Sequence, residues 1–351
     1  MAQQTHIFAG IARYRGGSQF GLFRNEVGNG GWRKVTNGLP EDAQIHAVTV
    51  HPEDTNIVYA GTHDGPYRST DRGEKFERLN FPDRDVEIWS ILVHPKKPKT
   101  LYAGASPVGV YRSDDGGDSW KKLPAPGITE RIAMAFPCRV MRIAADPAEA
   151  DTLYATVEVN GVMRSRDAGE SWQDCSADLV KLANSDAKYK SAIGTKDETE
   201  GMLDGHALCV SPAAPGTVIV AVRMGLFRST DRGGSWRDME VGRFSPVTYG
   251  RDIRVSPHDP RVLYAALSVA AASEHGRIYR SGDLGETWTR FDEGLNPAST
   301  MMAVCPHPRD ASQVYCATRR GEVFGTQDGG KSWKTYPLPD GVADCYAVAV
   351  A

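Results

Sequence analysis

Arg228-Ser229-Thr230-Asp231-Arg232-Gly233-Gly234-Ser235-Trp236 carries the pattern on which the rest of the chain is built. Read as Ser/Thr-x-Asp-x-Gly, usually followed by x-Ser/Thr-Trp, this box occurs six times at the same place in a longer repeat. The aspartates of the six boxes are Asp71, Asp115, Asp167, Asp231, Asp283 and Asp328.

Each box predicts a tight turn between two strands. The Ser or Thr and the Asp offer side-chain oxygens to backbone N–H groups, and the Gly accepts a backbone conformation that a Cβ atom would penalise. The Trp is a large apolar anchor that packs between sheets. Six acidic residues at fixed spacing also suggest metal loops or catalytic carboxylates, but a structural staple is needed six times and a catalytic group is not. We therefore interpret the boxes as structural.

The spacing of the boxes predicts an all-β, seven-bladed β-propeller. Successive aspartates lie 44, 52, 64, 52 and 45 residues apart, which suits blades of four strands. Residues 5–36 carry a second, third and fourth strand without an inner strand, and residues 345–350 form an inner strand with nothing after it. We expect 1–36 and 344–351 to form one composite blade that closes the ring, so that 1–351 is a single domain without exposed sheet edges.

Composition restricts the functional classes. A net charge of −3 and the lack of a concentrated Lys/Arg run argue against nucleic-acid binding. No segment approaches the ~20 apolar residues of a membrane span, and the N-terminus lacks the basic start and apolar run of a signal peptide. The six cysteines show no C-x-x-C spacing, so free thiols in a reducing compartment are expected. These features predict a cytoplasmic protein with no nucleic-acid or membrane partner.

The repeat resembles that of the Asp-box (BNR) proteins, which include sialidase-like and sortilin-like propellers. The resemblance covers nearly the whole chain and implies the propeller fold. Activity does not follow from it, because glycosidases, sorting receptors and assembly factors all share this architecture. Sialidases carry an Arg-Ile-Pro-type motif near the N-terminus and an arginine triad that binds the substrate carboxylate. Here the equivalent region reads Ile11-Ala12-Arg13-Tyr14-Arg15-Gly16, which argues against sialidase activity.

Aligning the inner strands by their following His-Pro, Asp-Pro or Ser-Pro turn predicts three rings of side chains around the channel. The deepest ring is aliphatic: Val48, Ile91, Ile143, Leu208, Ile253, Val304 and Val348. The next ring, called the mouth ring below, is His46, Trp89, Met141, His206, Arg251, Met302 and Tyr346. The outermost ring is Gln44, Glu87, Arg139, Asp204, Tyr249, Thr300 and Asp344. An aliphatic floor below ionisable walls predicts a ligand pocket at this mouth, on the face opposite the boxes.

Residue chemistry suggests roles in this pocket. His46 and His206 would move protons near neutral pH, and Arg251 would grip an anion with two prongs. Arg142 and Asp252 replace Ala or Ser on the other strand face, as either an inter-blade ion pair or a ligand contact. Loops between second and third strands add further groups, and their excess of Arg suggests an anionic ligand: His63-Asp64, Glu158, Arg223, Arg319-Arg320 and Arg13-Tyr14-Arg15. The long connection 176–205 is a candidate lid.

The leading hypothesis is an enzyme, a hydrolase or lyase, acting on a small anionic, hydroxylated or sugar-acid-like molecule. The predicted catalytic set is His46, His206, Arg251 and Tyr346. The predicted substrate-binding set is Glu87, Trp89, Arg139, Arg142, Asp204, Asp252, His63 and Arg223. A metal-assisted variant would place a divalent ion on His46, His206, Glu87 and Asp204. The alternative is a non-catalytic scaffold that binds a protein or other ligand.

Overall fold

The computed structural model describes residues 4–12, 18–128, 131 and 134–351. Seven four-stranded antiparallel sheets form the blades of a β-propeller, and each inner strand contacts the inner strands of both neighbouring blades. The predicted fold class is confirmed.

Strands are labelled β1 to β28 in chain order, and each blade uses four. The inner strands of blades 1 to 7 are β4 (Ile45–Val50), β8 (Glu87–Val93), β12 (Val140–Ala145), β16 (Gly205–Val210), β20 (Tyr249–Val255), β24 (Met301–Pro306) and β28 (Cys345–Val350). The second strands are β5 (Val58–Thr62), β9 (Leu101–Ser106), β13 (Leu153–Val157), β17 (Val218–Val222), β21 (Leu263–Ser268), β25 (Val314–Thr318) and β1 (His6–Ile11). The third strands are β6 (Gly65–Ser69), β10 (Gly109–Ser113), β14 (Gly161–Ser165), β18 (Gly225–Ser229), β22 (Gly276–Ser281), β26 (Glu322–Thr326) and β2 (Gly21–Glu26). The outer strands are β7 (Glu77–Arg78), β11 (Lys121–Leu123), β15 (Gln173–Asp174), β19 (Arg237–Asp238), β23 (Thr289–Arg290), β27 (Lys334–Pro337) and β3 (Trp32–Val35).

Blade 7 closes the ring as predicted. Its strand order is β28-β1-β2-β3, with the last strand of the chain paired antiparallel to the first. His6 and Ala351 exchange two backbone hydrogen bonds of 2.9 Å at the end of this ladder. The two ends of the chain thus hold each other, and the ring is closed by backbone pairing.

The core lies between the blades. Seven hydrophobic clusters follow the ring, and each contains one member of the aliphatic ring predicted from the sequence. These residues therefore pack one blade against the next, and several of them also line the channel.

The boxes are structural turns between third and outer strands. In the blade 4 copy the Ser229 hydroxyl donates to Asp231 Oδ1 at 2.7 Å and accepts the Gly233 N–H at 2.7 Å. Asp231 Oδ1 also accepts the Ser235 N–H at 2.8 Å. Gly233 has φ +86°, a left-handed conformation that glycine adopts without strain. Because the strands are antiparallel, these turns lie at the ends of the inner strands and not at their starts.

The long connection between blades 3 and 4 contains helix α1 (Ala177–Ser185), a 3₁₀ turn (Ala187–Tyr189) and helix α2 (Glu200–Leu203). A further 3₁₀ turn, Val241–Arg243, follows β19. Leu179 and Ala183 of α1 are buried in the cluster that joins blades 3 and 4. None of the helices in the described part of the chain is long and apolar enough to cross a membrane. Asp204 directly follows α2, so this insertion leads into the inner strand of blade 4.

Candidate functional site

Every residue of the mouth ring is the bulged residue of its inner strand. In blade 1, Ile45 pairs with Thr62 and Ala47 with Gly61, so His46 is left without a partner in the ladder. The same register shift occurs in the other six blades at Trp89, Met141, His206, Arg251, Met302 and Tyr346. A bulge bends its strand and re-aims the side chain of the extra residue. Strand alternation found the correct residues, but the bulge is the physical reason that they share one ring.

Aromatic side chains pack together at the centre of this ring. The His46 imidazole stacks on the Trp89 indole, with ring centroids 4.1 Å apart and planes 13° apart. Tyr346 meets Trp89 edge-on at 5.4 Å, and the Arg139 guanidinium lies over the Trp89 ring at 4.1 Å. The indole Nε1–H donates to Glu87 Oε2 at 2.8 Å. Trp89 is largely buried between these groups, and the exposed remainder of its side chain lines the channel cavity.

His46 does not have the properties of the predicted proton carrier. Burial, with the nearby charges of Arg139 and His63, lowers the pKa of His46 to about 3. Its Nδ1 atom is buried without a hydrogen-bond partner among the described residues. A base this weak takes up little proton at neutral pH. The structure therefore assigns His46 to the packing of the channel.

His206 is held at both ring nitrogens. Its Nδ1 lies 2.7 Å from the Gly250 carbonyl oxygen, which can only accept, so this nitrogen carries a hydrogen. Its Nε2 lies 3.1 Å from the Tyr249 hydroxyl and 3.3 Å from Asp204 Oδ2. Burial raises the pKa of Tyr249 to about 12, so this hydroxyl stays protonated. Both ring nitrogens are thus engaged, so His206 positions Asp204 and Tyr249, while its ring also lines the channel cavity.

Asp204 is the ionised carboxylate of the site. Burial alone would raise its pKa, but the charge and hydrogen bond of His206, together with Arg223 and Arg251, lower the pKa of Asp204 to about 2. Arg223 Nε lies 3.2 Å from Asp204 Oδ2. Asp204 thus carries a negative charge throughout the neutral range.

Glu158 was among the loop residues named from the sequence, but in neither the predicted catalytic set nor the predicted substrate-binding set. Burial, with repulsion from Asp204, raises the pKa of Glu158 to about 7, although Arg139 and Arg251 oppose this. Arg139 Nε lies 2.7 Å from Glu158 Oε2, but neither atom makes a well-directed hydrogen bond. The next residue, Val159, is β-branched and has φ +52°, a costly conformation for that side chain. Glu158 is therefore a carboxyl group that can hold or release a proton near neutral pH.

The positions of these groups repeat from blade to blade. After the second strand, a loop residue donates its backbone N–H to the outermost-ring residue of the same blade; the residues that do so are His63, Glu158, Arg223 and Arg319. In blade 3 this gives Arg139 paired with Glu158, and in blade 4 it gives Asp204 paired with Arg223. The charges are reversed between two adjacent blades. Glu158 and Asp204 consequently lie near each other, with Arg251 near both.

Arg251 is the cation of the mouth ring. Among the described residues, none forms an ion pair or a hydrogen bond with its side chain. Its side chain is partly exposed, and its charge acts on Asp204, Glu158, Tyr249 and Tyr346. Tyr346 itself lies at the ring with its hydroxyl 3.5 Å from Arg319 Nη2. A guanidinium without a protein partner beside two carboxyl groups is suited to hold a substrate group.

Arg142 and Asp252 form the ion pair that was one of the two sequence interpretations. Arg142 Nη2 lies 3.1 Å from Asp252 Oδ1, joining blades 3 and 5 across the channel. Asp252 is buried and also accepts from Arg254 and from the backbone N–H groups of Ile253 and Val304. Its oxygens are occupied by the protein, so its predicted substrate contact is not supported.

A cavity of about 290 Å³ in the channel is lined by all seven residues of the mouth ring. It extends past the aliphatic ring to Val50, Pro52 and Arg254 toward the box face. No outermost-ring residue lines it. In that ring, Asp204, Tyr249, Thr300 and Asp344 are buried. The cavity thus includes the mouth ring and part of the aliphatic ring that the sequence predicted, but not the outermost ring.

The residues proposed for a metal ion are only partly brought together. His206 and Asp204 are in contact, whereas Glu87 bonds to Trp89 and His46 stacks on that same indole. Within the described ranges, no three His, Cys, Asp or Glu side chains are grouped so that they could hold a metal ion. His63 lies at the rim, where its Nδ1 accepts the Gln44 N–H at 3.1 Å. The predicted loop Arg13-Tyr14-Arg15 lies outside the described residues.

Comparison with known proteins agrees with the architecture. A family model described as "Sortilin, neurotensin receptor 3" matches residues 276–348, and the seven-bladed ring with its boxes confirms a BNR- and sortilin-like propeller. A xyloglucanase of Paenibacillus sp is 25% identical over 226 residues, covering 54% of this chain. The chain spans only 20% of the length of that curated relative.

Solved structures match over more of the chain. The GH74 enzyme of Niastella koreensis superposes with a TM-score of 0.61 at 17% identity, covering 93% of this chain and 46% of that one. YCF48 bound to D1 peptide superposes with a TM-score of 0.55 at 16% identity, covering 85% of this chain and 82% of that one. Likeness at this level of identity establishes the fold and leaves the activity open.

Proposed function

We propose that this propeller is a hydrolase of a sugar-type substrate, with Glu158 as the proton donor and Asp204 as the ionised carboxylate at the channel mouth. The observation that carries the proposal is the convergence of these two carboxyl groups in adjacent blades, with Arg251 unpaired beside them. Glycoside hydrolysis uses one protonated and one ionised carboxyl group, whose pKa values are set apart by their surroundings.

The roles follow from the two environments. Glu158, protonated up to about pH 7, donates its proton to the glycosidic oxygen as the bond to the sugar carbon breaks. Asp204 stabilises through its charge the positive charge that develops on the sugar ring. Water then adds its hydroxyl group to the sugar carbon and returns its remaining proton to Glu158. His206 and Arg223 keep Asp204 charged and oriented. The sequence analysis assigned proton transfer to His46 and His206, whereas this proposal assigns it to Glu158.

Arg251 gives the proposal its substrate preference. A guanidinium binds a carboxylate through two parallel hydrogen bonds and also donates to sugar hydroxyl groups. This supports a substrate that carries an acidic or densely hydroxylated sugar unit, in line with the anionic substrate predicted from sequence. The resemblance to xyloglucanases supports the hydrolase class and glycan chemistry; their own substrate is only one member of the panel to be tested.

The test is the release of reducing ends from a panel of neutral glucans, xyloglucan and uronic-acid oligosaccharides. Wild type is compared with Asp204→Asn and with Asp238→Asn, a matched control in the outer strand of blade 4. Hydrolysis that is lost in Asp204→Asn and retained in Asp238→Asn supports the proposal. Equal rates in wild type and Asp204→Asn contradict it.

A peptide-binding scaffold is the second candidate. It is favoured by the packed mouth and by the likeness to YCF48 bound to D1 peptide over most of both chains. On this alternative no member of the glycan panel is hydrolysed. The protein instead binds an extended peptide on the mouth face, with an affinity that Asp204→Asn does not change.

A further inference from the structure

The box-side half of the channel has an uncompensated positive charge. Arg142 and Arg254 share Asp252 as their one carboxylate partner in the described chain. Arg142 contacts it through Nη2, and Arg254 contacts it through Nε. Two guanidinium groups against one carboxylate leave one net positive charge at this point of the channel wall.

Several N–H groups of this pair remain without a protein acceptor. A guanidinium has five N–H donors, and Asp252 uses only Nη2 of Arg142 and Nε of Arg254. Neither guanidinium makes another hydrogen bond to a residue that the structure describes. The side chains are 23% and 37% exposed, so solvent reaches both.

Both arginines line the cavity of about 290 Å³ that extends from the mouth ring toward the box face. Arg251 completes a set of three arginines in its lining, and the rest is apolar or neutral apart from His46 and His206. No Asp or Glu of the described residues lines it directly. Burial and repulsion from Arg254 lower the pKa of Arg142 to about 10, as expected for a cation with too little negative charge around it.

We propose that this cavity binds a small oxyanion, a carboxylate or phosphate group, between Arg142 and Arg254. Arg142 belongs to blade 3 and Arg254 to blade 5, and each keeps N–H groups that Asp252 does not use. The apolar side chains around them lower the local dielectric constant, which strengthens charged hydrogen bonds. This site lies below the packed mouth ring and does not depend on the proposed hydrolase activity.

The test is calorimetric titration of the whole protein with inorganic phosphate and with malonate, at matched ionic strength set with chloride. Wild type is expected to bind at least one of the two, and the preferred probe identifies the group as phosphate or carboxylate. Arg254→Met should weaken that binding at least tenfold while preserving the Arg142–Asp252 pair. Arg261→Met is the control, since Arg261 is exposed and pairs with Asp259 outside the cavity.

Thermal melting with and without the bound probe provides a second reading. The anion should raise the melting temperature of wild type and of Arg261→Met, but not that of Arg254→Met. Wild type that binds neither probe would overturn the proposal. So would Arg254→Met that binds as tightly as wild type.

Discussion

Asp204 Oδ2 lies 3.3 Å from His206 Nε2, and the two side chains are 6% and 5% exposed. The other ring nitrogen of His206 is fixed on the Gly250 carbonyl. The charge and hydrogen bond of His206 lower the pKa of Asp204. The contact therefore makes His206 a support for the charge of Asp204, and the charge of Asp204 is what the proposed reaction requires.

His206→Gln should move the acid limb of the rate–pH profile toward neutral pH. The histidine lowers the pKa of Asp204, so its removal raises that pKa and the active, ionised form is lost at a higher pH. Rates at pH 7 should fall less than in Asp204→Asn, because Arg223 and Arg251 remain. The measurement is kcat/KM between pH 3 and pH 8, a range in which wild type should show no acid limb, because the pKa of Asp204 is about 2, and the variant should show one. A variant without an acid limb in this range would show that the contact has no such role.

His46→Phe should make the fold less sensitive to acid. The folded protein holds the pKa of His46 near 3, against about 6.5 in an unfolded chain, so the unfolded state binds more protons between those values. Wild type thus loses stability as the pH falls below about 6.5, by up to about 1.4 kcal/mol per pH unit from this group. Urea unfolding at pH 7 and pH 5 should show a smaller loss in the variant. Parallel losses would contradict the buried neutral state.

Deleting residues 345–351 should prevent stable folding. Without β28, β1 loses its partner and blade 7 exposes an open sheet edge beside the channel. Insoluble protein, or a large fall in melting temperature, is the expected outcome. Removing Ala351 alone serves as the control and should have a much smaller effect. A truncated protein with the same melting temperature as wild type would show that the ring does not need its terminal strand.

Asp231→Ala should lower the free energy of unfolding by about 1–3 kcal/mol, because the part-buried Ser229 hydroxyl and the Ser235 N–H lose a charged acceptor. It should leave hydrolysis unchanged, since the box lies on the face away from the mouth. Chemical denaturation and the glycan assay together check both statements. A loss of hydrolysis at unchanged stability would place the site on the box face.

The fold could be predicted because its signals are local and repeated. The boxes at Asp231 and its counterparts set the period, and the unmatched strands at the two ends set the closure. The mouth ring was also identified, since residues such as His46 and Arg251 occupy the same position in each repeat. The repeat pattern carries no information on which side chains of different blades contact each other.

Those contacts decide the chemistry. His46 loses its basicity because Trp89 and Arg139, from two other blades, cover it. In the sequence, Glu158 occupies the same loop position as His63 and Arg223 and nothing marks it as special. Only the structure shows that burial and the charge of Asp204 raise its pKa. The shape of the channel cavity also depends on contacts between blades, because Trp89 and Tyr346 line it.

The most direct test of the central claim is the pH dependence of glycan hydrolysis by wild type and Glu158→Gln, measured between pH 5 and pH 9. In wild type the rate should fall as the pH rises through about 7, because Glu158 then loses the proton that it donates. Glu158→Gln should be at least about 100-fold slower, the usual cost of removing a general acid, and should lack that alkaline limb. A variant with the wild-type rate, or with the same alkaline limb, would contradict Glu158 as the acid of this site.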